Sequence, residues 1–398
     1  MNGVARALLL GVLSLAPIAQ AVGVAGEGQD PIAELLGEAA GSDADLQRSL
    51  LAGLVQSQLG KRALTAPAIW KDLGPKLAGS ENAKVRALAR HLGALFGDAQ
   101  AVAALKTLLV DAAQPVPERR AALKALLHVR APGLAKDLQG LLGDGALRGH
   151  VLRGLAEFDD AGTPAAILAV YPTLTLAEKR DALNTLAQRA PWAKALATAV
   201  ATKQVPATEI SGSVLRQLLL LKDPAVDSFA RANGAGDEKD PLGEVARLEQ
   251  VLTPTVLATG DAARGRAIFD RTCAQCHVLW GAGGAVGPEL TGLNRPDLDW
   301  TLKNVLDPSI IMGAEQQILA LRLSDGRVVA GMKREDGDGH LAVVNESGVF
   351  TIPRFEIAEL VETKRSTMPD GLFRRLTQPE LIDFLRYFQG AGQVDPAK

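Results

Sequence analysis

The chain has 398 residues, which is more than one domain usually needs, so we expect two. Its hydrophobic content of 47% and charged content of 22% are typical of a soluble globular protein. The net charge of −2 argues against a nucleic-acid-binding protein and against a polybasic membrane-surface protein. Aromatic residues make up only 4%, while alanine and leucine are abundant, and this favours packed helices over a β-sandwich.

Residues 1–21 have the pattern of a secretory signal peptide. Arg6 precedes a short apolar run over residues 7–16, which Pro17 ends, and Ala19-Gln-Ala21 is a small-x-small cleavage pattern. The run is shorter than the roughly 20 residues that span a bilayer. We therefore expect cleavage and export, to the periplasm or otherwise out of the cell, with no transmembrane segment left afterwards. An uncleaved membrane anchor is the alternative.

Residues 30–232 read as consecutive short helices separated by Gly, Pro and Asp. A two-leucine pattern recurs at steps of 29, 31 and 32 residues; its copies begin at Leu123, Leu152, Leu183 and Leu215, with weaker copies over 51–54 and 89–92. A period of about 30–35 residues predicts an α-solenoid, in which helix pairs bury their apolar faces by stacking on neighbouring pairs. The pattern resembles HEAT repeats. An irregular helical bundle is the alternative.

A polar, glycine-containing stretch opens the predicted linker, residues 233–257, within which residues 242–252 are expected to form a short bridging helix. The second domain is placed at 258–392. Its first predicted helix begins at Asp261 and carries Gly265 and Phe269 on one face, where a glycine permits close approach of another helix. The expected partner is the helix over 379–388, near the carboxyl terminus.

Cys273-Ala-Gln-Cys276-His277 is the most specific motif of the chain. Two thiols three positions apart can each form a thioether to a vinyl group of a porphyrin, and the histidine that follows is placed under the iron as a ligand. A bare Cys-x-x-Cys would also be compatible with redox, zinc or structural roles. His277 and the lack of any other cysteine in the sequence favour one covalently attached haem c with its iron.

Residues 316–362 change to alternating apolar and polar positions with hairpin turn signals such as Asp325-Gly326. Strands are predicted over 317–323, 327–333, 341–345 and 348–352. The expected fold class is therefore mainly α: a HEAT-like solenoid, then a helical domain with a small antiparallel β-meander insertion.

The stretch from Gly260 through His277, followed by Gly287-Pro-Glu-Leu-Thr-Gly292, resembles the opening of a class I cytochrome c. The resemblance implies that Pro288 offers its carbonyl oxygen to the proximal imidazole. Such a bond fixes the tautomer of His277 and makes its other nitrogen a better ligand.

Residues 262–390 resemble, more narrowly, the haem-binding domain of planctomycete and verrucomicrobial proteins. The resemblance is carried by these segments: Gly287–Gly292 with Arg295, Val305-Leu-Asp-Pro-Ser309, Asp325-Gly326, Ser366-Thr-Met-Pro-Asp-Gly-Leu372 and the closing helix from Leu376. It implies that Arg295 binds a haem propionate; a surface arginine is the alternative. In that family the domain often follows helical repeats and a dehydrogenase-like propeller. This sequence has no such propeller, so the resemblance does not carry dehydrogenase activity over to it.

Three methionines compete for the distal side of the iron. Met368 precedes a proline in an irregular loop, which is how class I cytochromes present the distal thioether, and the predicted strands account for its separation of 91 residues from His277. Met312 is the alternative ligand, whereas Met332, in the middle of a predicted strand, is expected to be a packing residue. His340, in a turn, would give a bis-histidine iron.

The leading functional hypothesis is an exported monohaem electron-transfer protein whose repeats dock a redox partner, either a dehydrogenase or another cytochrome. Lys364, Arg365, Arg374 and Arg375 would place positive charge near the distal edge for an acidic partner. A six-coordinate iron leaves no open position for a substrate, and dihaem peroxidases need two attachment motifs, so we do not expect an enzyme. A haem-based sensor or scaffold, or the haem subunit of an oxidoreductase, is the alternative.

Overall fold

The computed structural model describes residues 30–235, 241–309, 317–366, 368 and 372–395. The protein is mainly helical and carries an antiparallel sheet. The predicted signal peptide, residues 1–21, lies outside the described residues. None of the helices in the described ranges has both the length and the apolar character needed to cross a membrane.

The helical region, residues 31–232, contains α1 to α13 in chain order. Their bounds are Pro31–Gly41, Ala44–Ser57, Trp70–Ala78, Ala83–Leu95, Ala99–Val110, Val116–His128, Leu134–Gly140, Arg148–Leu155, Thr163–Val170, Leu176–Leu186, Ala190–Ala201, Gly212–Leu219 and Pro224–Ala232. Several begin at an Asp or Asn whose side chain accepts hydrogen bonds from the first free N–H groups, as Asp43 does for α2 and Asn82 for α4.

These helices pack in two layers. In one layer the odd-numbered helices contact one another, as α5 contacts α7 and α9 contacts α11. In the other layer α2 contacts α4, α4 contacts α6, and α8 contacts α10. All six copies of the two-leucine pattern fall in the even-numbered helices α2 to α12, and the leucines are at most 3% exposed. The repeated pattern therefore marks the buried side of one layer.

The C-terminal region combines helices around its own apolar core. Its elements are α14 (Pro241–Val251), α15 (Pro254–Leu257), α16 (Ala262–Thr272), β1 (Val278–Leu279), β2 (Ala282–Gly283), α17 (Leu298–Leu306) and α18 (Gln378–Phe388). Val245 and Leu252 are buried in the same cluster as Phe269 and Phe384. The helix that the sequence assigned to the linker thus packs into the C-terminal core, because its apolar face is covered by α17.

The predicted pairing of the first and last helices of this region, α16 and α18, is present. A Cβ atom at Gly265 would overlap the carbonyl oxygen of Asp383, so only glycine lets the two backbones approach this closely. The Asp383 carboxylate accepts from the backbone N–H of Asp261 at 2.7 Å and from Nε of Arg264 at 2.7 Å. One buried carboxylate therefore joins the start of α16 to α18.

The β-structure is larger than the small meander predicted from the sequence. It is a five-stranded antiparallel sheet with the order β6-β5-β4-β3-β7. The strands are β3 (Gln317–Leu323), β4 (Val328–Asp336), β5 (His340–Asn345), β6 (Gly348–Pro353) and β7 (Ile357–Ser366). The chain returns after β6 to lay β7 against β3, so the sheet is not a simple meander and it ends at residue 366 rather than 362.

One face of the sheet is docked on the helical region. Val328 is 1% exposed and belongs to the core cluster of the helices, and its N–H donates to the carbonyl oxygen of Gln188 at 2.8 Å. Nε2 of Gln217 donates to the carbonyl oxygen of Val328 at 3.1 Å. A surface of the helical region is thus covered by a sheet from the same chain.

A charged cluster closes the edge of this interface. It contains Arg62, Arg130, Glu157 and Arg189 of the helical region with Asp325, Arg327 and Glu356 of the sheet. Arg327, 3% exposed, lies 2.9 Å from Glu157 and 2.9 Å from Asp325. Glu356 lies 2.7 Å from both Arg62 and Arg130. Each of these buried charges has a partner of opposite sign, as burial requires.

Candidate functional site

The attachment motif lies at the end of α16. Asp261 caps the helix by accepting from the N–H groups of Ala263 and Arg264, and Cys273 follows the last turn. The N–H of His277 donates to the carbonyl oxygen of Cys273 at 3.0 Å, which continues one turn of backbone through the motif. The spacing of the sequence is thus realised as a single turn that presents all three side chains together.

These side chains line a cavity of about 320 Å³. Its wall includes Thr272, Cys273, Gln275, Cys276, His277, Val286, Gly287, Pro288, Leu290, Leu293, Trp300, Thr301, Asn304, Val305, Pro308, Met332, Glu346, Ser366, Met368, Leu372, Phe384 and Phe388. A cavity of this size with mostly apolar walls and few polar groups is typical of a cofactor site. The structure therefore brings together five of the six predicted site residues; Arg295 lies outside the wall.

The imidazole of His277 is held by the loop that follows it. Its Nδ1 lies 2.8 Å from the carbonyl oxygen of Pro288; since a carbonyl can only accept, Nδ1 carries the proton and Nε2 is left with a free lone pair. A Cβ atom at Gly287 would come within 2.5 Å of Cε1 of His277, so a glycine is needed where the loop crosses the ring. Burial lowers the pKa of His277, which keeps the imidazole neutral and able to ligate a metal.

The two thiols are not arranged for metal binding by thiolates. Burial raises the pKa of Cys273 to about 11 and that of Cys276 to about 12, so both are protonated at neutral pH. Within the described residues no group of three or more His, Cys, Asp and Glu side chains is placed to hold a metal ion. The zinc alternative therefore lacks the additional ligands that a structural zinc site requires.

The candidate residues for the second iron ligand lie in different places relative to the cavity. Met368 lines the cavity and packs against the C-terminal core, with its N–H donating to Oγ of Ser366 at 3.1 Å. Met332, which the sequence indicated as a packing residue in a strand, also reaches the cavity from β4. His340 pairs with Glu335 at 3.3 Å and is not on the cavity wall. Met312 lies outside the described residues.

Arg295 is buried beside the cavity. Its guanidinium donates to the carbonyl oxygens of Phe388, Gly390 and Thr291 and stacks over Trp280 with 4.8 Å between Cζ and the ring centroid. Nε is buried and has no hydrogen-bond partner among the described residues. Arg295 thus braces the loop and α18 with its terminal nitrogens.

Residues 262–317 match the family model described as Cytochrome c. The chain therefore contains a cytochrome c domain. The matched segment covers the attachment motif, Pro288 and α17, and it ends where the sheet begins. No curated protein matches the chain.

A cytochrome c domain implies haem c, and the residues present fit that group. Two neutral thiols, an imidazole with its Nε2 lone pair free and a thioether line one apolar-walled cavity. Cys273, Cys276, His277 and Met368 are the residues that would hold it. Two further residues of the cavity wall, Met332 and Glu346 of the sheet, were not assigned to the site from the sequence.

Proposed function

We propose that the protein is an exported c-type cytochrome that carries one haem c and transfers electrons between redox partners. The observation that carries the proposal is the convergence of Cys273, Cys276, His277 and Met368 on one cavity, with Nδ1 of His277 held by the carbonyl oxygen of Pro288. Haem c would supply reversible one-electron transfer at its iron. The chain's own residues attach, orient and shield the group.

Each residue has a defined task in this proposal. His277 is the proximal ligand, and the Pro288 carbonyl fixes its tautomer and orientation. Met368 would be the second protein ligand of the iron, which would leave no position at the metal for a substrate. The apolar wall, including Leu290, Val305 and Phe384, excludes water. Arg295, buried beside the cavity, is the proposed partner of a haem propionate.

We further propose that the domain is of the planctomycete and verrucomicrobial haem-binding type and that the helical region is a HEAT-like solenoid. Support for the second point comes from the two-layer packing and from the two-leucine pattern on successive even-numbered helices. The redox partner, a dehydrogenase or another cytochrome, would dock on a surface of the helices that the sheet does not cover. Of the basic residues expected near the distal edge, Arg374 pairs with Glu244 at 2.6 Å, which leaves its charge partly neutralised.

The optical spectrum of the reduced protein with and without carbon monoxide tests the proposed function. Occupation of the distal position by Met368 predicts a low-spin spectrum that carbon monoxide does not change. Ready binding of carbon monoxide would contradict the electron-transfer proposal and favour a sensor. Cleavage at the signal sequence is tested separately by the amino-terminal sequence of protein recovered from the periplasm.

A further inference from the structure

The β5–β6 turn places a carboxylate on the wall of the haem cavity. Glu346 is in this turn, between Asn345 and Gly348, and lines the same cavity as Cys276. The rest of the wall is mostly apolar, so a charge here is screened less than it would be at an exposed surface. The carboxylate plays no part in holding the haem in the proposed function.

The helical region fixes the position of this carboxylate. Nδ2 of Asn184 on α10 donates to Oε1 of Glu346 at 2.8 Å, and Oγ of Ser211 donates to the same oxygen at 3.0 Å. Oγ of Ser213 donates to Oε2 at 2.8 Å. These three donors are neutral, so they orient the carboxylate and leave its negative charge in place.

A cation from the helical region faces the same place. Arg180 precedes Asn184 by one turn of α10, so the two side chains lie on one face of that helix. Burial lowers the pKa of the Arg180 guanidinium, and the nearby Glu346 carboxylate opposes that change. Two charges of opposite sign therefore lie close together on this side of the haem cavity, where Asn184 binds Glu346.

We propose that Glu346 and Arg180 are electrostatic positioning residues that set the midpoint potential of the haem in opposite directions. The inference rests on the proposed function. Reduction adds one electron, supplied by the redox partner, to the ferric haem. A nearby carboxylate disfavours that added negative charge and lowers the midpoint potential, while a nearby guanidinium raises it. The helical region is, on this account, part of the apparatus that tunes the haem.

The test is the midpoint potential of the intact protein and of two matched variants. We expect Glu346→Gln to shift the potential positively and Arg180→Gln to shift it negatively. The controls are Glu335→Gln and Arg334→Gln, which remove the same charges from exposed positions on β4 and are expected to leave the potential unchanged. Shifts of the same sign in both test variants would overturn the inference, because they would indicate a general loosening of the cavity, which does not depend on the sign of the charge removed. No shift of the potential in either variant would overturn it as well.

Two further measurements separate the possible causes of failure. Glu346→Asp keeps the charge and is expected to keep most of the wild-type potential, and Arg180→Gln remains as the probe if Glu346→Gln does not fold. Absorbance of the pyridine haemochrome shows whether haem is attached by thioethers. Protein without attached haem would contradict the proposed function itself. Attached haem whose midpoint potential does not change in the variants would contradict only the role of Glu346 and Arg180.

Discussion

Val328 and Met332 lie on the same face of β4, one in the core of the helical region and the other on the wall of the haem cavity. No irregularity interrupts the pairing of β4 with β3 between them, so the two side chains point the same way. A single strand therefore runs from the helical core to the haem site. The sheet belongs to both regions and links them mechanically.

Replacement of Met368 by alanine should change the ligation of the iron, because it removes the proposed distal thioether. We expect loss of the methionine-to-iron charge-transfer band, a lower midpoint potential and binding of carbon monoxide by the reduced protein. Met332→Ala is the matched control, since it removes a thioether from the same cavity. A spectrum that responds to Met332→Ala and not to Met368→Ala would transfer the ligand assignment to Met332.

Removal of Arg327 should destabilise the protein through the interface between sheet and helices. The side chain is 3% exposed and pairs with Glu157 and Asp325, whose half-buried carboxylates would be left with fewer cations. Breaking a buried charge pair from one side costs about 3–5 kcal/mol of unfolding free energy. Arg327→Met, measured by urea denaturation, should show this loss, while Arg334→Met on the exposed part of β4 should change stability by less than about 0.5 kcal/mol.

The buried pair His91 and His128 should make the protein sensitive to acid. Nε2 of His91 lies 2.7 Å from Nδ1 of His128, and burial with the neighbouring His128 lowers the pKa of His91 to about 3. The unfolded chain, with a histidine pKa near 6.5, binds a proton that the folded chain does not. Stability is therefore complete above about pH 6.5 and falls by about 1.4 kcal/mol per pH unit below it, until the pH nears 3.

His91→Gln tests this expectation, because glutamine can still donate to Nδ1 of His128 but does not titrate. Between pH 6.5 and 5 the variant should lose about 2 kcal/mol less unfolding free energy than the natural chain. His150→Gln serves as the control: burial also lowers the pKa of His150, but less than that of His91, so this variant should remove a smaller part of the acid sensitivity. Equal losses in His91→Gln and the natural chain would exclude His91 as the source.

Gly265→Ala should separate α16 from α18, since the added Cβ meets the backbone of Asp383 rather than a movable side chain. Overpacking of this kind typically costs about 1–3 kcal/mol. Gly292→Ala is the matched control, because a Cβ there meets nothing within 4 Å. Thermal denaturation of the haem-loaded protein should show a lower midpoint for Gly265→Ala alone; equal midpoints for the two variants would mean that the helices adjust freely.

The helices around the site could be predicted because their signals are local. Asp261 caps α16 as expected, and the expected helix over 379–388 is α18 with a start one residue earlier. The resemblance to class I cytochromes c implied the bond from His277 to Pro288, and Nδ1 of His277 lies 2.8 Å from that carbonyl oxygen. The four expected strands are present with shifts of at most three residues at their ends.

The missed features depend on long-range contacts. Strand β7 does not alternate cleanly: Leu360 and Val361 are both exposed, as an edge strand allows. The docking of the sheet on the helices joins residues far apart in sequence, such as Arg62 and Glu356, which are separated by 294 positions. No local pattern marks such a pair. For the same reason Met332 and Glu346 could not be assigned to the haem site in advance.

The central claim is that one haem c is held by Cys273, Cys276 and His277. Its most direct test is the mass of the purified full-length protein together with its pyridine haemochrome spectrum after denaturation. We expect one haem per chain that stays bound under denaturing conditions and shows a spectrum of two thioether links, and no bound haem in Cys273→Ala/Cys276→Ala. Protein that contains no haem, or haem that is extracted on denaturation, would contradict it.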